Sequence, residues 1–233
     1  MAERARTAAD RSGIVALRVG ARSQLGWLAA EEGDFGHMLQ LSEEMLEIVD
    51  AHPEAESSRP RVLDQQGGAF LALGRMPEAQ AARRAARELG EPGSRLHAIR
   101  SVLLAEALLA GDDQGAAHAA ELTDVLADAR EIVERVGDEL GAAHVDNTEA
   151  QLLVLTGHLG EAEVLLRRAA EVLARRPDGS GEGANAIGWA RLQVAAGRPE
   201  DARRTLAAAV AAAGSGTFTS HELRHQQRLL GLV

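Results

Sequence analysis

Apolar residues recur along this chain every three to four positions, the spacing that lines one face of an α-helix, and the apolar stretches break at short clusters of Gly, Pro and polar residues. The pattern predicts an N-terminal helix ending near Glu32 and a partner from about Asp34 to Asp50. Further helices are expected over about 57–73, 76–89, 94–110, 113–136, 138–156, 159–175, 184–196, 199–213 and 219–230. Two segments read as linkers: 51–60, where prolines interrupt any helix, and 175–183 (RRPDGSGEG), which is expected to be a mobile loop. The last helix is expected to take Thr219 or Ser220 as its N-cap, with Glu222 near its first turn.

One arrangement returns five times: an apolar stretch, a Gly, a few polar or turn-forming residues, then a small residue opening a second apolar helix. It reads LGWLAAEEGDFGHMLQLSEEML, GGAFLALGRMPEAQAARRAAREL, LLAEALLAGDDQGAAHAAELTDVL, EAQLLVLTGHLGEAEVLLRRAAEVL and GWARLQVAAGRPEDARRTLAAAV. The turn glycines Gly33, Gly74, Gly111, Gly157 and Gly197 are spaced by 41, 37, 46 and 40 residues. Each Gly fits the position just past a helix end, where a positive φ is needed. Pro77 and Pro199 sit in the first turn of the helix that follows, and Glu78, Glu161, Glu200 and Asp201 place negative charge at its N-terminus. A small residue five positions after the Gly (Ala79, Ala116, Ala162, Ala202) allows a close helix crossing; Met38 stands there in the first copy. Leu166 and Ala169, or Leu206 and Ala209, follow on the same face. Such a hairpin cannot bury its own apolar face, so consecutive copies must stack.

The signature G-x-x-x-E/D-A after an apolar run resembles the tetratricopeptide repeat (TPR), most clearly at 157–172 and 197–210, well at Gly74, and in degenerate form in the first and third copies. The likeness covers roughly 19–213. The period near 40 exceeds the usual length of about 34 and is similar to the longer TPR-like arrays of actinobacterial regulators. The expected fold is all-α: an α-solenoid of about five antiparallel helical hairpins with a C-terminal capping helix. It is expected to form one superhelical domain over 1–233, with repeats at 14–50, 57–89, 94–136, 138–175 and 184–213 and the cap at 219–230.

Composition supports the all-α reading and narrows the function. Aromatic residues make up 2% of the chain, too few for an ordinary β-rich core. All 25 basic residues are arginine, set against 35 acidic ones for a net charge of −10, so there is no basic excess to release counterions from a nucleic acid. With no cysteine, disulfides, thiolate metal sites and cysteine nucleophiles are excluded. The N-terminus has no apolar signal-peptide core and no stretch is long enough to span a bilayer, so a cytoplasmic location is the expectation. The alanine run 207–213 reads as the buried side of one helix.

Catalytic motifs are sparse. His221-Glu222-Leu223-Arg224-His225 matches H-E-x-x-H, in which two His one turn apart bind zinc and the Glu is a general base. Only eight residues follow it, leaving no room for a downstream third ligand, so zinc hydrolysis stays a remote alternative. His97, His118, His144 and His158 form no ligand spacing, and without lysine there is no P-loop. Gly67 and Gly68 read as a place where helices touch. No metal or cofactor is expected, and no enzymatic activity.

The TPR resemblance implies instead that the first helix of each hairpin lines an inner groove. Counting back from each turn Gly by the family's spacing places Ser23, Gln24, Trp27 and Glu31 there, then Arg61, Asp64, Gln65 and Gly68. From the later copies come Ala98, Ser101, Ala105 and Leu108, then His144, Asn147, Thr148 and Gln151, and finally Ile187 and Arg191. The candidate partner-binding residues are Gln24, Trp27, Arg61, Asp64, Gln65, Ser101, His144, Asn147, Gln151 and Arg191: amides suited to peptide backbone, and arginine suited to carboxylate. The lysine–asparagine carboxylate clamp of some TPR domains is not matched. The resemblance therefore implies a non-enzymatic scaffold for a protein or peptide partner, or alternatively a ligand- or peptide-responsive sensor module of a bacterial regulator. Leu223, Leu229, Leu230 and Leu232 suggest an apolar surface through which the C-terminal helix would pair in a homodimer.

Overall fold

The structure, a computed structural model, describes residues 2–110, 118–213 and 218–232. Among these residues every regular element is helical. Their contacts divide into two compact units, Met1–Gly90 and Glu91–Val233.

Unit 1 holds α1 (Ala2–Ser12), α2 (Val15–Glu31), α3 (Phe35–Ala51), a short 3₁₀ turn (Pro53–Ser58), α4 (Arg59–Ala72) and α5 (Met76–Glu88). The expected single N-terminal helix is broken at Gly13, whose φ of +68° no L-residue adopts cheaply, so α1 folds back on α2. Helices α2 and α3 form one hairpin, α4 and α5 the next, and α3 stacks on α4. The core between them joins Val19, Met45, Ile48, Val49, Ala55 and Val62. The proline-bearing linker is ordered by this core: Ala55 is buried in the 3₁₀ turn, and Pro60 enters the first turn of α4.

Unit 2 holds α6 (Arg95–Leu109), α7 (Ala119–Val136), α8 (Glu139–Leu155), α9 (Leu159–Arg175), α10 (Ser180–Ala195), α11 (Pro199–Ala213) and α12 (Phe218–Leu229). They pair as α6–α7, α8–α9 and α10–α11, consecutive hairpins stack, and α12 lies on α10 and α11.

The hairpin turns follow the sequence reading. Gly33, Gly74, Gly157 and Gly197 have φ between +73° and +82°; Gly111 and Ala116 lie outside the described residues. At each turn the residue after the Gly donates its N–H five residues back: Asp34 to Ala29, Arg75 to Phe70, His158 to Leu153 and Arg198 to Gln193, at 2.8–2.9 Å. This main-chain seal satisfies carbonyls that a helix end leaves bare. Ala79, Ala162 and Ala202, and Met38 in the first hairpin, have no exposed surface. Met38 is accommodated because Gly68 faces its methyl.

Three local expectations are corrected. Helix α10 begins at Ser180, not 184, because the Asp178 carboxylate accepts the Gly181 N–H at 2.7 Å and the Glu182 carboxylate accepts that of Gly179 at 2.7 Å. Its glycines are needed for packing: a Cβ on Gly181 would strike Leu173, and one on Gly183 would lie 2.6 Å from the Thr219 methyl. Helix α12 already includes Phe218, so Thr219 and Ser220 are not its N-cap, and the capping position falls outside the described residues. The alanine run is not the buried side of α11: Ala202 and Leu206 are buried, while Ala207, Ala208, Ala211 and Ala212 are exposed. Alanine there serves helix propensity more than burial. No helix of the described residues is long and apolar enough to cross a membrane.

Candidate partner-binding face

In unit 1, α2 and α4 are the first helices of successive hairpins and therefore run parallel. Their register is set by a buried bond, Ser23 Oγ to Gln65 Oε1 at 3.1 Å. The Gln65 amide reaches this place because Gly26 has no side chain; a Cβ there would collide with Gln65 Nε2. Gln24, Trp27 and Glu31 follow one another along α2 beside this contact, Trp27 one turn after Ser23, and all three are exposed, Trp27 to 47%. On α4, Arg61 is exposed one turn before Gln65. Asp64 is half-buried, 3.6 Å from Arg83 Nη1. Arg83 in turn lies against Gly67, where a Cβ would sit 3.0 Å from its Cδ. The glycine pair thus makes room for an arginine rather than for a bare helix contact.

Unit 2 uses its candidate residues differently. Ser101 is buried and donates to the His97 carbonyl at 3.0 Å. Asn147 donates to the Gly181 carbonyl at 3.1 Å, and Asn185 donates to Asn147 Oδ1 at 2.7 Å and to the Leu166 carbonyl at 2.9 Å. Gln151 donates to the Asn147 carbonyl at 3.4 Å. His144 Nε2 lies 2.8 Å from Asp178 Oδ2. Burial pushes the Asp178 carboxyl up, but the bonds from His144 and the Gly181 N–H outweigh it and hold the group below the usual carboxylate range. Arg191 spans from α10 to the Leu109 carbonyl at 3.2 Å and to Gln226 Oε1 at 3.1 Å. Ala98, Ala105, Leu108 and Ile187 are core. Asn147 ties α8 to α10, Arg191 links α10 to α6 and α12, and Ser101 and Gln151 bond carbonyls of their own helices, while Gln24, Trp27, Glu31 and Arg61 of unit 1 are exposed.

Two features escaped the sequence reading. A small residue seven positions before the turn glycine (Gly26, Gly67, Ala150, Ala190) is buried wherever it occurs. A charged residue eleven positions before it is buried in three copies: Arg22, Arg100 and Asp146. Arg22 bonds Asp10 and Glu44, each at 2.8 Å. Asp146 sits between Arg130 at 2.6 Å and Arg168 at 2.5 Å. The Asp146 bond raises the Arg168 guanidinium above its ordinary value.

His225 is half-buried on α12, and the His221 side chain lies outside the described residues. Among the described residues no group of three or more His, Cys, Asp or Glu is placed to hold a metal ion. Leu223 and Leu232, expected on an exposed pairing surface, are instead buried with Ile187 and Leu206. The apolar side of α12 turns inward, as a cap, because α10 and α11 leave apolar surface at the end of the stack.

No protein-family model matches the chain, and no curated protein matches it. Among solved structures it is similar to a thermophilic TPR protein of Thermus thermophilus, at 20% identity and a TM-score of 0.60, over 92% of this chain and 100% of that one. Paired helices, glycine turns and this likeness together make the fold a TPR-like α-solenoid.

Proposed function

We propose that the chain is a binding scaffold rather than an enzyme, and that it holds a peptide segment or protein partner on the α2–α4 face of unit 1. The observation that carries this reading is Trp27, a large indole left 47% exposed on α2, one turn from the Ser23 contact with α4. An indole offers much contact area at little rotameric cost, which makes exposed Trp a frequent centre of binding energy. Gln24 on one side matches the donor and acceptor of a peptide backbone, and Arg61 matches a carboxylate. In unit 2 the candidate amides Asn147 and Gln151 are bonded within the fold, whereas Gln24 and Arg61 of unit 1 are exposed, which supports placing the partner on unit 1.

The test is capture from the native host's extract with quantitative mass spectrometry. The double variant Trp27→Ala/Arg61→Ala is compared with wild type and with Glu171→Ala, an exposed change on α9. The expected outcome is a partner retained by wild type and Glu171→Ala and depleted at least about tenfold by the double variant, as loss of a binding hot spot requires. Equal capture by all three removes this face from the function.

A further inference from the structure

In α4, α8 and α10 the first helix of the hairpin turns a flank toward the preceding hairpin of its own unit, marked by the positions twelve and five residues before the turn glycine. In α4 these are Val62 and Ala69, in α10 Asn185 and Leu192, and all four are buried. In α8 they are Val145, buried, and Leu152, packed on the α6–α7 core. In α2 they are Ala21, half-buried, and Leu28, just over half exposed, and the stripe continues through Leu17 and Ile14, both likewise just over half exposed. Helix α1 covers a different side of α2, where Asp10 meets Arg22 and Arg18. In α6 the corresponding pair is Ile99 and Glu106, so a charge interrupts the flank. The α2 positions Ile14, Leu17, Ala21 and Leu28 are all uncharged, and Arg18 at their edge is drawn aside to Asp10 at 3.6 Å.

We infer that this stripe is a self-association surface: a second copy of the chain lays its own α2 on it, antiparallel, about a two-fold axis near Ala21. Charge selects this occupant and orientation. The exposed Arg11 comes three residues before Ile14, and the exposed Glu31 and Glu32 follow Leu28 at the other end. Antiparallel pairing brings each arginine to the acidic end of the other copy and sets Ile14 against Leu28 at both ends; parallel pairing would oppose like charges. The two helix dipoles also favour the antiparallel arrangement. Head-to-tail stacking on the other end of the chain is blocked, because α12 buries Leu223 and Leu232 inward against the last hairpin. Ala21, the smallest member of the stripe, lets the two helices cross closely.

Sedimentation velocity on the full chain over a wide concentration range tests this. Wild type is expected to show a monomer–dimer equilibrium. Leu28→Glu should weaken it at least about tenfold, while Leu155→Glu, an equally exposed leucine in unit 2, should leave it unchanged. Trp27→Ala should also leave it unchanged, which separates this surface from the proposed partner face. Because the chain has no native cysteine, Ala21→Cys supplies a second readout: oxidation should give a covalent dimer, and Leu155→Cys should not. This second readout decides the matter should Leu28→Glu lose its helical circular dichroism. A wild type that stays monomeric, a Leu28→Glu dimer as strong as wild type, mass growing beyond the dimer, or failure of Ala21→Cys to cross-link would overturn the inference.

Discussion

Single residues divide here into those that hold the fold and those that face outward, and burial tells them apart. Asn147 is fully buried and bonds both Gly181 and Asn185. Asn147→Ala leaves those partners unsatisfied and should cost about 1–3 kcal/mol of stability by urea unfolding. Gln24→Ala, on an exposed helix face, should stay within about 0.5 kcal/mol of wild type. Gly188 has no room for even a methyl, since a Cβ would lie 2.5 Å from Leu166 Cδ2, and Gly188→Ala should cost about 1–3 kcal/mol through overpacking. The turn glycines, the alanines after them and the pairing of helices into hairpins were legible in the sequence because φ and close approach restrict the residue type. The internal use of Asn147, Gln151 and Ser101 was not. A polar side chain on an inner face reads the same whether it meets a partner or a neighbouring carbonyl, and only the register between helices decides.

At the scale of elements, the α9–α10 connection differs from the hairpin turns. Side chains close it: Asp178 caps α10 and pairs with His144, and Glu182 reaches back to Gly179. The Gly-rich letters suggested a loose loop, but glycine here permits tight packing against Leu173 and Thr219. Because the Asp178 carboxyl is held below its ordinary 3.8, its contribution to stability is present above that pH and lost as pH falls through the lowered value. Thermal melts at stepped pH below about 4 should therefore fall less steeply for Asp178→Asn than for wild type. The cap is the other decisive element. Leu223→Ala opens a cavity against Ile187 and Leu206 and should cost about 2–5 kcal/mol by urea unfolding.

For the molecule as a whole, stacked hairpins draw their stability from nearest neighbours, so unfolding need not be all-or-none. Each unit encloses its own apolar clusters. A fragment of residues 91–233 is accordingly expected to keep its helical circular dichroism and a cooperative melt by itself; a fragment without a cooperative transition would contradict that independence. The turns carry one last implication. Since main-chain bonds and a single glycine close them, nearly every other letter at those corners can drift without cost. A shape closed this way outlasts its spelling, and the likeness at one-fifth identity lies in the backbone path.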